Sequence, residues 1–114
     1  MVSVSKSEID KIFGKILRDF RVKNGFTQEQ LSEKLGISLK YISRIENGNN
    51  GIKTQTLIKY MNILGIMPNI IYKDFINNTE VLDDINLFNK ISNLSSDQKT
   101  FISSVIDLLK NLEV

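Results

Sequence analysis

The chain contains no cysteine, no histidine and no tryptophan, and only one proline in 114 residues. Each absence closes a class of function. Without cysteine there can be no disulfide and no thiolate metal site. Without histidine, zinc loses a principal ligand and catalysis its commonest general base. A single proline and six glycines leave little material for irregular loops, so a mostly helical chain is expected. No apolar run approaches the roughly 18 residues that a membrane-spanning helix needs. The opening Met1-Val-Ser-Val-Ser-Lys-Ser-Glu8 has no apolar h-region, so a secretory signal is not expected and the cytoplasm is the expected compartment. Nor does any glycine-rich loop suggest a phosphate cradle. Asp83 and Asp84 resemble a carboxylate pair, but adjacent helical positions point in different directions. Neither an enzyme nor a bound metal or cofactor is expected.

What is present is apolar and charged in ordinary globular proportion, 41% hydrophobic and 25% charged. The net charge of +2 is small, and its distribution is more informative. Residues 1–73 hold twelve Lys or Arg against six Asp or Glu, whereas residues 74–114 hold three against seven. A half suited to a polyanion is thus joined to a half with another task, the alternative being a chance partition of surface charge.

Hydrophobic periodicity and helix signals divide the chain into seven helices. Ser5-x-x-Glu8 is a capping-box pattern, followed by Ile9, Phe13, Ile16, Leu17 and Phe20 at helical spacing and a stop at Asn24-Gly25. Thr27-x-x-Gln30 opens a second helix carrying Leu31 and Leu35, which ends at Gly36. Ser38 caps a third, with Ile42 and Ile45 inward and a stop at Asn47-Gly48. The loop Asn47-Gly-Asn-Asn-Gly51 is dense in turn formers. A fourth helix is expected from Thr54 to Leu64, with Leu57, Ile58, Met61 and Leu64 inward. Pro68 suits the first position of a fifth, running to Phe75. Composition changes at Asn77-Asn78-Thr79, after which Val81, Leu82, Ile85, Phe88 and Ile91 mark a sixth helix. Ser95-x-x-Gln98 opens the seventh. Nothing alternates with period two for long, so the expected class is all-α. The expected division is a five-helix domain over residues 1–76 and a C-terminal helical hairpin over 77–114.

Residues 27–46 hold the motif of greatest consequence: two short helices joined by a tight turn. In such a unit the second helix can enter the major groove of DNA. Leu31 and Leu35 would pack the first helix, Gly36 would reverse the chain in a left-handed conformation, and Ile37, Ile42 and Ile45 would bury the back of the second. Leu39, Lys40, Tyr41, Ser43 and Arg44 are left for its outer face and N-terminal end.

Gly14-x-Ile16-Leu17-x-x-Phe20-Arg21, Gly25-Phe-Thr-Gln-x-x-Leu31, Leu35-Gly-Ile-Ser38, Ile42-Ser-Arg-Ile-Glu-Asn-Gly48 and Leu57-x-x-x-Met61-x-x-Leu64-Gly65-Ile66 resemble the lambdoid-repressor-like, XRE-type helix-turn-helix family. The resemblance covers roughly residues 9–75. It implies a sequence-specific regulator of transcription, a repressor that binds a palindromic operator in double-stranded DNA as a homodimer. By the same resemblance Gln28 contacts phosphate and a base edge, Ser38, Leu39, Lys40, Tyr41, Ser43 and Arg44 occupy recognition-helix positions, and Asn47 begins a loop against the sugar-phosphate backbone. Chemistry sorts these further. Arg44 can donate a fork of hydrogen bonds to guanine, Lys40 can serve guanine or phosphate, and Leu39 suits a thymine methyl. Thr27 and Ser38 are expected mainly as helix caps. Tyr41 could instead pack over the helix surface. Arg21 and Glu46 are expected to form a partly buried ion pair tying the first helix to the end of the third. Lys23, Lys34, Lys53 and Lys59 read as solvated surface. Two departures stand out: Ser32 replaces the usual small apolar residue, and Gly51-Ile52 replaces the frequent proline after the loop.

The last helix carries apolar residues at 101, 102, 105, 106, 108, 109 and 112, a stripe too wide for one partner face. It is either buried between the sixth helix and the body or buried against a second copy. Phe101, Ile102, Val105, Ile106, Leu109 and Leu112 are therefore the expected dimerisation residues. The alternative is an antitoxin or a phage or mobile-element regulator whose acidic C-terminal helices dock a partner protein.

Overall fold

Ser5, Thr27, Ser38, Asn78 and Ser95 each accept a hydrogen bond, through a side-chain oxygen, from the backbone N–H three residues on, and each opens a helix. At Thr27 and Ser95 the box is complete, since Gln30 and Gln98 return a side-chain acceptor to the cap N–H. At Ser5 it is not: the Glu8 carboxylate accepts from the Ser5 hydroxyl instead. The computed structural model describes residues 5–112. Met1–Val4, in the segment read as lacking a secretory signal, and Glu113 and Val114, at the end of the expected hairpin, lie outside the described residues.

The described elements are α1 (Lys6–Lys23), α2 (Gln28–Leu35), α3 (Leu39–Glu46), α4 (Thr54–Leu64), α5 (Pro68–Tyr72), a 3-10 turn (Lys73–Phe75), α6 (Thr79–Ser92) and α7 (Ser96–Lys110). There is no strand among them, and the protein is all-α. The fifth helix thus stops short of its expected end, and its last residues tighten into a 3-10 turn, a common way for a helix to close. No described helix is long and apolar enough to cross a membrane. The chain forms two compact units that divide between Asp74 and Phe75.

In the first unit, α1 and α2 each pack on both α3 and α4. The core is Leu17 of α1, Leu31 and Leu35 of α2, Ile42 and Ile45 of α3, Leu57, Tyr60 and Leu64 of α4, and Ile66 and Ile71. Leu17, Leu31, Ile42 and Ile45 have no solvent exposure, and each such burial stabilises by roughly 1.5–3 kcal/mol. The apolar stripe of α4 differs from the expected one. Thr56, Leu57, Tyr60 and Leu64 form its buried face, while Ile58 is 47% exposed. Ile58 lies about 100° around the helix from Leu57, and the stripe that contains Leu64 also contains Tyr60, not Ile58. The cost of choosing tyrosine there is visible: its hydroxyl is buried with no hydrogen-bond partner among the described residues.

Two glycines let α1 lie directly on the C-terminal end of α3. A Cβ on Gly14 would come within 2.2 Å of the Ile45 carbonyl oxygen. Gly48, at φ 72°, adopts the left-handed conformation, and a Cβ there would meet the Lys11 backbone at 2.7 Å. At the C-terminal end of the same unit, Tyr72 meets Phe13 of α1 edge to face, with ring centroids 5.5 Å apart.

The second unit is a helical hairpin in which α6 packs on α7, and no described residue of either helix is buried. Two helices can cover only one side of each other, which leaves the outer apolar faces to solvent. Phe101, Leu108 and Leu109 on α7, Leu112 just beyond it, and Leu87 and Phe88 on α6 are all more than half exposed. A shallow concavity of about 350 Å³ opens between Leu94, Asp97, Gln98, Phe101 and Ile102.

Gly14→Ala forces backbone against backbone at Ile45 and is expected to destabilise the protein by about 2–3 kcal/mol. Urea denaturation followed by circular dichroism measures this; a loss below about 0.5 kcal/mol would mean that α1 can slide off α3 freely.

Candidate nucleic-acid interface

The turn between α2 and α3 is closed by one residue from both of its polar ends. The Ser32 carbonyl accepts from the N–H groups of Gly36 at 2.9 Å and Ile37 at 3.3 Å, while the Ser32 hydroxyl donates to the Ile37 carbonyl. Gly36, at φ 67°, supplies the left-handed residue at the reversal. The departure at Ser32 is thereby accounted for: a small apolar side chain would leave the Ile37 carbonyl without this donor.

Ser38 then caps α3 by accepting from the Tyr41 N–H at 3.1 Å. Ile42 and Ile45 hold the inner face of the helix, so its period of 3.6 residues turns the opposite face out. Lys40 and Arg44 are exposed, Leu39 is 42% exposed, and Ser43 is half-buried. Lys40, Ser43, Arg44 and Asn47 follow one another at three- and four-residue spacing and form one outward ridge. Asn47 ends the helix as its C-cap and is exposed. Beyond it the chain folds back, and the Arg44 carbonyl accepts from the N–H groups of Asn49 at 2.9 Å and Asn50 at 3.4 Å. Tyr41 stands apart from the ridge. It is half-buried against the core, and its hydroxyl accepts from the Lys53 N–H at 3.2 Å, fastening α3 to the start of α4.

Beneath the ridge lies a charged cluster. Arg21 donates from Nε to Glu46 Oε2 at 2.7 Å and from Nη2 to Glu46 Oε1 at 2.9 Å, and its Nη1 reaches the Phe26 carbonyl at 2.8 Å. The Glu46 side chain is only 1% exposed and that of Arg21 11%. The hydrogen bonds that Arg21 donates to Glu46, and secondarily the Glu46 charge, raise the Arg21 pKa above its ordinary value despite partial desolvation. Gln28 joins the same carboxylate, donating from Nε2 to Glu46 Oε1 at 3.2 Å. One amide hydrogen of Gln28 is thus committed inward, and its second amide hydrogen and its carbonyl oxygen are not used in that bond. Burial, and then the neighbouring Glu46 charge, push the Tyr60 phenol well above the usual tyrosine range.

Most of the lysines read as solvated surface have partners. Lys34 lies over the Phe26 ring at 5.3 Å and Lys23 over Phe20 at 5.6 Å. Lys59 donates to the Leu35 carbonyl at 3.3 Å, bracing the C-terminal end of α2 from α4. Lys53 is exposed. Of the apolar residues expected at a dimer contact, Phe101, Ile102, Val105, Ile106 and Leu109 lie on α7, whereas Leu112, expected on the last helix, falls past its end at Lys110, because the chain turns at the Asn111 cap. Phe101, Ile106, Leu109 and Leu112 are exposed and Ile102 and Val105 are half-buried. No group of acidic residues able to hold a metal ion occurs among the described residues.

Residues 17–69 match the family model described as Helix-turn-helix. No curated protein matches the chain. Among solved structures, the fold is similar to the restriction-modification controller protein C.AhdI from Aeromonas hydrophila, at 27% identity over 54% of this chain and 94% of that one, with a TM-score of 0.51. It is also similar to the clp gene regulator ClgR from Corynebacterium glutamicum, at 23% identity over 75% of this chain and 94% of that one, with a TM-score of 0.54. A chain of the SinR protein/SinI protein complex is 20% identical over 88% of this chain and 99% of its own, with a TM-score of 0.52. The last two likenesses are of fold alone.

Arg21→Ala strands the Glu46 carboxylate in the core and is expected to cost roughly 3–5 kcal/mol of stability. Thermal melting of the variant reads this directly. Unchanged melting together with lost nucleic-acid binding would instead make Arg21 a contact residue.

Proposed function

We propose that this protein is a sequence-specific DNA-binding regulator of transcription, because residues 17–69 match the family model described as Helix-turn-helix. The observation that carries this reading is the outward ridge of α3, with Lys40 and Arg44 exposed over a back buried at Ile42 and Ile45. In the proposed complex the ridge enters the major groove. Arg44 donates to guanine O6 and N7, Lys40 to guanine or phosphate, and Leu39 meets a thymine methyl. Ser38, Ser43 and Asn47 contribute contacts at the edges of the ridge, and Gln28 contacts phosphate or a base edge with the amide group that Glu46 leaves available. Tyr41 is the weakest of the proposed contacts, because its hydroxyl already serves Lys53. Repression follows if the site overlaps a promoter, and the work is then done in the cytoplasm without an enzymatic step.

The operator is proposed to be palindromic and the protein a homodimer, since two such modules read half-sites about one helical turn apart. The exposed apolar face of α7 supports a dimer made through the C-terminal hairpin, using Phe101, Ile102, Val105, Ile106, Leu109 and Leu112. A second reading has a specific support: one similar structure comes from a complex of two different proteins. In that reading the same acidic, apolar helices dock another protein, as in an antitoxin or a phage or mobile-element regulator.

Arg44→Ala is expected to weaken operator binding by about 1–3 kcal/mol and to relax preference at one base pair, whereas Lys40→Ala should also flatten the salt dependence. Selection from a random DNA pool followed by binding across a salt series measures both. A flat salt slope in the unaltered protein, with no preferred sequence, would overturn DNA binding itself. Among the described residues the buried core runs from Leu17 to Ile71, so a chain ending at Phe75 is expected to stay folded and sediment as a monomer that binds a full operator much more weakly. A dimer of undiminished affinity from that truncated chain would move the dimer contact into the first unit.

A further inference from the structure

Three Asn-Gly steps occur in the chain, at Asn24-Gly25, Asn47-Gly48 and Asn50-Gly51. Such a step is chemically labile. The backbone nitrogen of the glycine can attack the side-chain carbonyl carbon of the asparagine, because no side chain shields it and the glycine bends easily into the required geometry. The structure separates the three. At Asn24-Gly25 the Gly25 N–H donates to the Val22 carbonyl at 3.0 Å, and the Asn24 amide donates to the Phe20 carbonyl at 2.7 Å. Nucleophile and electrophile are both tied. At Asn47-Gly48 the Gly48 N–H donates to the Ile45 carbonyl at 3.0 Å, and Gly48 is buried against Lys11 in a left-handed conformation. At Asn50-Gly51 neither restraint exists among the described residues. Gly51 has φ outside the left-handed range and no hydrogen bond to its N–H, and the Asn50 side chain has no partner. Both residues are partly open to solvent.

We propose that Asn50-Gly51 is a site of spontaneous deamidation, a self-modification that places a carboxylate in the loop after α3. The Gly51 nitrogen bonds to Asn50 Cγ and loses its proton to solvent. The bond from Cγ to the side-chain nitrogen breaks, and ammonia leaves. Water then opens the resulting five-membered imide at either carbonyl, giving aspartate or, with one extra carbon in the backbone path, isoaspartate. No oxidation or reduction occurs, and water is the only co-reactant. The consequence for binding rests on the proposed DNA function. A new negative charge in a loop beside phosphates opposes association and is screened by salt. The protein thereby loses DNA affinity with age, at a rate set by how the fold leaves this one step unrestrained.

The full-length protein is incubated under mildly alkaline conditions and sampled over days, and peptides are mapped by mass spectrometry with isoaspartate detection. The expected result is the amide-to-acid mass gain at residue 50 first, with residues 24 and 47 following only on unfolding. Gly51→Ala is a fair control for shielding the nucleophile, since the added Cβ would meet only the flexible end of the Lys6 side chain at 3.2 Å and the Asp10 carboxylate at 3.4 Å or beyond. It should slow conversion. Conversion at residue 24 or 47 as fast as at 50, or a rate unaffected by Gly51→Ala, overturns the site. For binding, aged protein is compared with fresh protein on the selected operator. A loss of roughly tenfold at low salt is expected, absent in Asn50→Gln aged alongside. Fully converted protein that binds as tightly as fresh protein overturns the switch. Fresh protein that binds no DNA overturns the proposed function and leaves the mass readout to decide the chemistry.

Discussion

A carboxylate cut off from solvent has to be matched by donors, and the arrangement of the first unit follows from how Glu46 is matched. Arg21 reaches it from α1 with two nitrogens and Gln28 from α2 with one, so three helices meet at the last residue of α3. The third guanidinium nitrogen holds the Phe26 carbonyl and so fixes the segment that leads into α2. A buried pair of this kind adds little net stability against an apolar replacement of similar shape. Its geometric effect is large, because only one placement of α1, α2 and α3 satisfies all the donors together.

Close backbone approach makes that placement possible. Gly14 lets α1 touch the carbonyl edge of α3, and Gly48 lets the chain leave α3 against Lys11. Any larger residue at either point would push α1 outward and open the distance between Arg21 and Glu46. With the back of α3 seated in this way, Lys40 and Arg44 face solvent as a rigid pair rather than on a mobile loop. Ser32 and Tyr41 add fastenings at the two ends of the helix. The second unit obeys the opposite rule. Its hairpin has no buried residue among those described, and its outer apolar side chains are exposed.

Much of this was legible in residue order. The capping patterns at Ser5, Thr27, Ser38 and Ser95 mark helix starts because a hydroxyl three residues before a free N–H satisfies it locally. Glycines at 25, 36, 48 and 65 mark reversals, and all four have positive φ. The helix-turn-helix spacing locates the outward ridge for the same reason, since helical period alone opposes Lys40 and Arg44 to Ile42 and Ile45. Reading by apolar type alone failed on α4. Apolar type alone puts Ile58 inward and leaves out Tyr60, because a phenol can be counted as either polar or apolar and only its neighbours decide. Lys34 and Lys59 likewise looked like ordinary surface charges, and their partners Phe26 and Leu35 lie on segments whose approach no local pattern encodes.

The sequence by itself determined the helix starts, the turn at Gly36, the charge asymmetry between the two halves and the resemblance to a DNA-reading family. The first two are properties of neighbours within one or two helical turns, and the last two of residue order along the chain, so none depends on packing. Tertiary structure alone decided that Gln28 shares the carboxylate of Glu46, that Tyr41 serves Lys53, and that of three identical Asn-Gly steps one leaves its glycine N–H without a partner among the described residues. Each of these depends on which hydrogen-bonding groups are already occupied, and occupancy is settled only when distant segments pack and exclude water.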